Sequence, residues 1–394
     1  MKRHLIGIGG VGMSALATAL LRLGDVVTGQ DRTLGTKNIR FLESLGVKVS
    51  GDDGSLIDST TDEVIVSTAI EETNPGLVKA KELGIKVTHR AAALSKALES
   101  YKLVAVVGTC GKSTVTAMLG HILDEAGLDP MCVNGANVPG WEGAVRFGKG
   151  AYAVAEVDES DKSLVAFRPY AAIVTNASAD HYSKEEMDEV FDAFIKDCPG
   201  PVIDARGETY RPQDYNLQNA SLAIRMAVKL GVDEAKAKGA METFRGVERR
   251  LQKYSDRVYD DYAHNPEKLR SMIETLKEKA KKGLCVIWRP HGYAPLRKMM
   301  EALAEMFNET MRPQDKLLLL PVYDAGGTTD RSVNSSDLIA RIEGVGPRCR
   351  CTLVKDLDEA YENVKANKQD FDVVVTAGAR DPGLPDLAKR IGEL

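Results

Sequence analysis

The stretch that most limits what this chain can be is Lys102–Met118, KLVAVVGTCGKSTVTAM. An apolar run, Leu103 to Val107, ends in Gly108-Thr109-Cys110-Gly111-Lys112-Ser113-Thr114, and an Ala/Met/Leu-rich segment with helical spacing follows to about Ala126. A strand, a glycine turn, a lysine, hydroxyls and a helix make a phosphate cradle. Turn N–H groups and the helix N-terminus face the anion, the lysine reaches a terminal phosphate, and a hydroxyl sits on Mg²⁺. This marks Gly108, Thr109, Gly111, Lys112, Ser113 and Thr114 as phosphate-contacting and Ser113 as a metal ligand. The spacing departs from Gly-x4-Gly-Lys: Val106 holds the place of the first glycine, and Gly108 stands three residues before Gly111. The plainer alternative is a β-to-α turn carrying a solvated lysine.

A length of 394 residues suits two to three domains. With 43% hydrophobic and 28% charged residues the composition is that of a globular chain. A net charge of −5 argues against nucleic acid as a partner, and no apolar run approaches a membrane span. MKRHLIGIGG runs straight into a strand and a glycine turn rather than a signal-peptide core. The six cysteines (110, 132, 198, 285, 349 and 351) are scattered, as expected of reduced thiols in a cytoplasmic protein.

Upstream, Leu5 to Ile8 reads as a strand, followed by Gly7-x-Gly9-x-x-Gly12, a helix through Leu23, and a second strand closed by Asp31. This is a diphosphate cradle with an acidic residue at the ribose-contact distance. A dinucleotide and a sugar nucleotide both fit it. Ser67-Thr68-Ala69-Ile70 lies at another strand end, where ligands bind in open α/β sheets. Downstream, Glu156-Val157-Asp158-Glu159-Ser160-Asp161 crowds carboxylates at a strand end, which a Mg²⁺–nucleotide complex would neutralise. Asp180-His181 just past the next strand suits a metal or phosphate site. Asn216 and Asn219, three apart, are expected on one helix face, where amides can read a purine edge. The last third repeats strand-then-polar-loop at Val258–Asp261, Leu284–Trp288, Lys316–Leu320 and Asp372–Thr376, the layout of a parallel sheet with a ligand edge.

In this order the parts resemble the Mur ligases, ATP-dependent amide ligases of peptidoglycan assembly, and within them the branch that adds alanine to UDP-N-acetylmuramate. The resemblance rests on His4–Ser14, Gly108–Thr114, Ala155–Asp161, Thr175–His181, Asn216–Asn219 and Asp260–Pro266. It implies an α/β chain of three domains: a Rossmann-like UDP-substrate domain at 1–99, a central P-loop-type parallel sheet at 100–243, and a Rossmann-like C-terminal domain at 244–394. It also implies the chemistry. A substrate carboxylate attacks the γ-phosphate of ATP, and an amine then displaces phosphate from the acyl phosphate. Lys112, Glu156 and His181 are the implied catalytic residues, with Mg²⁺ on Ser113, Glu156 and His181. Asn216 and Asn219 would take adenine, Asp261 the ribose, and Arg250 the phosphates. Gly9, Gly10, Val11, Gly12, Asp31 and Ser67 would hold the UDP part. The implied partners are a UDP-muramoyl-type substrate and an amino acid or short peptide, for a monomer or dimer.

The chain also departs from the family. Cys110 stands where the alanine-adding branch has His, and Ser113 where it has Thr. The amino-acid motif Pro-His-Arg-Tyr-x-Arg becomes Pro290-His291-Gly292-Tyr293-Ala294-Pro295, so both arginines are gone. His291, Tyr293 and Arg297 remain candidates for the amino acid, with Arg289 as another substitute cation. The segment from His181 to Asn216 is short for the family. A peptide-adding recycling ligase and a nucleotide-binding protein without ligase activity are the alternatives.

Overall fold

The computed structural model describes residues 1–158, 163–177, 184–208, 215–324, 330–346 and 349–394. The first segment alternates β1 (Lys2–Ile6), α1 (Val11–Arg22), β2 (Val26–Gln30), α2 (Lys37–Ser44), β3 (Lys48–Ser50), β4 (Glu63–Val66), α3 (Pro75–Glu82), β5 (Lys86–His89) and α4 (Arg90–Ala97). The sheet order is β3-β2-β1-β4-β5, parallel throughout. β1 lies where the winding reverses, so the turn after it opens into a crevice. The strand expected over Leu5–Ile8 runs earlier. Lys2 already pairs with Val26, and Gly7, at φ +76°, ends the strand.

The central segment comprises β6 (Lys102–Val107), α5 (Lys112–Glu125), β7 (Met131–Val133), β8 (Val145–Arg146), β9 (Tyr152–Glu156), a 3-10 turn at Ser163–Ala166, β10 (Ala171–Val174), α6 (Lys184–Ile195), β11 (Val202–Asp204), α7 (Tyr215–Lys229) and α8 (Glu234–Thr243). Its order is β11-β10-β6-β9-β7-β8, parallel except for the β7–β8 pair. β6 has neighbours on both edges and is buried from Leu103 to Val107, which is why it reads as an unbroken apolar run. Each leucine and valine of this run contributes about 1.5–3 kcal/mol as an upper bound.

The last segment comprises β12 (Gln252–Lys253), β13 (Val258–Asp261), α9 (Pro266–Lys277), β14 (Leu284–Trp288), α10 (Tyr293–Thr310), β15 (Lys316–Leu319), α11 (Ser335–Val345), β16 (Arg350–Leu353), α12 (Leu357–Ala366), β17 (Val373–Ala377) and α13 (Gly383–Gly392). The order is β12-β13-β17-β14-β15-β16, with only β12 antiparallel. The chain thus has an α/β fold with three sheets. Two compact units result: residues 1–208 with 219–247, and 209–218 with 248–394. Within the first unit the N-terminal and central sheets share a core that includes Leu16, Leu94, Leu103, Val133 and Phe191. Arg22 pairs with Glu142 across them at 2.6 Å.

Candidate active site

The phosphate loop joins β6 to α5. Gly108 has φ +124°, and a Cβ there would come within 2.2 Å of Thr175 Oγ1, so only glycine fits. The loop is clamped by the end of the neighbouring strand β10. Asn176 Oδ1 accepts from Thr109 Oγ1 at 2.6 Å and from Cys110 N at 2.9 Å, while Asn176 Nδ2 donates to Cys110 O at 3.0 Å. Thr175 Oγ1 donates to the same carbonyl at 2.6 Å. Gly111, at φ +86°, caps α5 without a side chain, leaving the N–H groups of the first helical turn to point outward. Lys112 follows it, and its Nζ donates to Gly108 O at 2.6 Å. Ser113 is buried and Thr114 half-buried. Asn134 Nδ2 fixes the backbone of Ser113 through its carbonyl at 3.1 Å.

β9 places Glu156 level with Val106, at the start of the loop. Its Oε2 accepts from Gly135 N at 2.8 Å, and a Cβ on Gly135 would fall 2.5 Å from that carboxylate. Asn134-Gly135 follows β7 and had no role assigned from the sequence. Nor had Thr175 and Asn176, although both lie in a quoted motif. The signal for all four is position: each lies at or just after the end of a strand flanking β6 or its neighbour. No group of three or more His, Cys, Asp or Glu among the described residues could hold a metal alone. Ser113 and Glu156 still suit Mg²⁺, which keeps waters and phosphate oxygens and needs few protein ligands. His181 lies outside the described residues.

Glu156 opens into a cavity of about 490 Å³ that is also lined by Gly7, Gly10, Gly12, Asp31, Ser67 and Arg90. The glycine turn after β1 and the Glu156 carboxylate therefore meet in one space. Asp31 organises the turn: Oδ2 accepts from Gly9 N at 2.9 Å and Oδ1 from Thr33 N at 2.9 Å. Gly9 has room for no side chain, since its Cβ would lie 2.9 Å from Asp31 Oδ2. Gly10 caps α1, and Val11 is exposed at its start.

Asn216 and Asn219 both lie on α7 and differ in burial. Asn219 is 3% exposed and Asn216 is exposed, because residues three apart sit about 60° apart around a helix and the edge of the core falls between them. Asn219 remains suited to a ligand amide contact, because its own amide makes no side-chain hydrogen bond among the described residues.

In the C-terminal unit the adjacent aspartates divide their work. Asp260 points inward, fully buried, to Arg249 Nε at 2.9 Å and Thr376 Oγ1 at 2.6 Å. Asp261 points into the loops, where Leu251 N and Ala263 N donate to it at 2.7 and 2.8 Å. Burial pushes both carboxyls above the usual carboxylate range, against the pull of Arg249 on Asp260 and Arg250 on Asp261. These contacts hold Arg249 and Leu251 at φ +58° and +46°, strained for side chains of this size. Arg250 lies over the Tyr262 ring at 4.9 Å. His264 and His291 meet edge-on at 4.9 Å. Arg331 lies 5.8 Å from the Tyr293 ring centre.

Residues 2–102 match the Mur ligase family, catalytic domain, and residues 249–380 match the Mur ligase, glutamate ligase domain. A UDP-N-acetylmuramate–L-alanine ligase of Paenarthrobacter aurescens is 32% identical, covering 96% of this chain and 94% of the relative. The ligase of the same name in Synechococcus sp. is 30% identical, covering 96% and 89%. The structure is similar to UDP-N-acetylmuramate-alanine ligase MurC from Thermotoga maritima, with a TM-score of 0.80 at 25% identity, covering 100% of this chain and 98% of that one. A murein peptide ligase from Psychrobacter arcticus shares the fold, with a TM-score of 0.66 at 20% identity over 100% and 99% of the two chains. The clamped phosphate loop, the glycine turn facing Glu156 and these likenesses converge: this chain belongs to the Mur ligase family of ATP-dependent carboxylate–amine ligases.

Proposed function

We propose that this chain joins an amino acid, L-alanine first among candidates, to the carboxylate of UDP-N-acetylmuramate in peptidoglycan synthesis, at the expense of ATP. The observation that carries this reading is the shared cavity, in which the turn at Gly7–Gly12 and Glu156 line one space. A sugar nucleotide held by its diphosphate at the turn would extend its carboxylate toward the phosphate loop.

The residues divide the work as follows. Gly9 and Gly10, ordered by Asp31 and by the Gly7 carbonyl, let the diphosphate approach the backbone, Val11 and Gly12 at the start of α1 offer it their N–H groups, and Ser67 lines the same cavity. Lys112 neutralises charge on the γ-phosphoryl group as the substrate carboxylate attacks it, giving an acyl phosphate and ADP. The loop's amides hold the remaining phosphates in place. Asn219 offers its amide to adenine. Arg250 and Asp261 would serve the phosphates and ribose from the C-terminal unit. The amine of the amino acid then attacks the acyl carbon, and inorganic phosphate leaves. Mg²⁺ bound at Ser113 and Glu156, with His181 as the implied ligand of a second ion, would supply charge neutralisation across the phosphates. A three-domain division at 1–99, 100–243 and 244–394 is part of this reading, supported by one sheet falling within each range. ATP and UDP-sugar substrates imply the cytoplasm as its location.

ADP release tests the proposal, measured with UDP-N-acetylmuramate, MgATP and either L-alanine or an alanyl tripeptide. Release that depends on sugar nucleotide and L-alanine supports it. Release with the tripeptide alone assigns the peptide-adding reaction instead, and release with no acceptor overturns the ligase reading.

A further inference from the structure

The segment between β14 and α10 reads Pro290-His291-Gly292-Tyr293-Ala294-Pro295, with no arginine at the two positions where the motif it resembles has them. Neither neighbouring arginine is placed to replace them. Arg289 is paired with Asp381, and its Nε donates to Pro321 O at 3.1 Å. Arg297 Nη2 lies 2.7 Å from the Asp330 carboxylate and donates to Ser332 Oγ at 2.9 Å. Both guanidiniums are committed to holding loops at the end of the sheet.

Arg380 differs. It follows β17 on the neighbouring loop, and its Nη1 lies 3.9 Å from the point a Cβ on Gly292 would occupy. The residue is exposed, and among the described residues its guanidinium makes no hydrogen bond or ion pair. The adjacent Asp381 does not neutralise it, because that carboxylate takes Arg289 and the N–H of Gly383 at 2.8 Å. Gly292 has an extended backbone, φ 160° and ψ 160°, which any residue can adopt. Glycine is therefore not required there by conformation. What it provides is an unobstructed approach for Arg380 to the start of α10, beside His291. The N–H groups of the first turn of α10 are uncapped by any side chain and add to the attraction for an anion.

We propose that Arg380 binds the carboxylate of the incoming amino acid, delivering a guanidinium from the loop after β17 to the start of α10, where the segment 290–295 has none. The guanidinium then comes from a different strand end and lies beside the start of α10. A planar guanidinium can meet a carboxylate with two parallel hydrogen bonds, which fixes the amine's direction as well as its position. The inference rests on the ligase reading above.

Steady-state kinetics with UDP-N-acetylmuramate, MgATP and L-alanine test it on wild type, Arg380→Ala, Arg380→Lys and the exchange variant Gly292→Arg/Arg380→Gly. The KM for L-alanine should rise about 10- to 100-fold in Arg380→Ala, as for loss of a charge-assisted pair. The KM for ATP and for the sugar nucleotide should stay within about twofold. Arg380→Lys should fall between, since it keeps the charge and loses the fork. The exchange variant should recover most of the loss. An active wild type with an unchanged alanine KM in Arg380→Ala overturns the inference and leaves the ligase reading standing. A wild type active only with the alanyl tripeptide moves the same comparison to the KM for the tripeptide, and one inactive with both acceptors removes both readings. Because the side chain is exposed and unpaired among the described residues, these substitutions leave the fold intact, which circular dichroism checks.

Discussion

Asn176 grips the peptide backbone of Cys110 from both sides, accepting from its N–H at 2.9 Å and donating to its carbonyl at 3.0 Å. A grip on backbone is indifferent to the side chain that the backbone carries. The loop can therefore keep its shape with cysteine at 110, where the resembling branch has histidine. Removing the amide takes the Asn176 acceptor from the Cys110 N–H and leaves its carbonyl one donor fewer, with Thr175 Oγ1 still on it at 2.6 Å. Asn176→Ala should lower kcat/KM for ATP by about 10- to 100-fold and stability by about 1–3 kcal/mol, read from ATP titrations and urea unfolding. Unchanged ATP kinetics would show that the loop holds itself.

Glu156 and Gly135 are in closer contact than any other side chain would allow. Gly135→Ala places a methyl 2.5 Å from the carboxylate and must displace it or the backbone. The expected result is a fall in kcat of about 100-fold, comparable with Glu156→Gln, since a carboxylate shifted by an ångström loses its place in the reaction. Rapid-quench measurement of phosphoryl transfer separates this from slower product release.

Asp31 acts on substrate through the Gly9 amide. Asp31→Asn keeps the size but loses the charge that orders the turn. The KM for UDP-N-acetylmuramate should rise about 3- to 10-fold, with the KM for ATP unchanged. A parallel rise in both would mean the whole unit has loosened rather than one subsite.

His4 gives the fold a pH dependence. It is buried between Thr28 Oγ1 at 2.9 Å and Gln30 Oε1 at 3.2 Å, and burial lowers its pKa from 6.5 to about 4. Between those values the unfolded chain binds the proton and the folded chain does not, so stability falls as pH falls. The contribution is fully present above pH 6.5 and is lost by about pH 4, in total roughly 3 kcal/mol. Urea unfolding across this window should show that slope in wild type and a shallower one in His4→Gln.

The sequence is most legible where strands are buried on both faces. Val258–Asp261 and Leu284–Trp288 have the expected bounds because apolar runs there stop at polar or proline-containing loops. β16, Arg350–Leu353, lies at the sheet edge with exposed and half-buried residues alternating in no clean period, and nothing in its pattern marks it as a strand. Lys112 and Glu156 could be identified because phosphate chemistry demands those side chains near glycine. Asn176 and Gly135 could not, because their roles are contacts with the backbone of distant segments. Arg380 was hidden for a related reason. Its proximity to Gly292 comes from β14 and β17 being neighbours in the sheet, which sequence separation conceals. For Asn216 and Asn219 the spacing gives the shared helix, but not that the core boundary leaves one exposed and the other buried.

The central claim is that the sugar-nucleotide carboxylate, reaching from the glycine turn, attacks ATP in the cavity beside Glu156. UDP-N-acetylmuramate labelled with ¹⁸O in its carboxylate tests this directly, by mass spectrometry of the phosphate released during turnover with L-alanine. The account predicts one ¹⁸O atom transferred to each phosphate, the trace of an acyl phosphate. Unlabelled phosphate would contradict it, showing that water rather than the substrate carboxylate attacks the nucleotide.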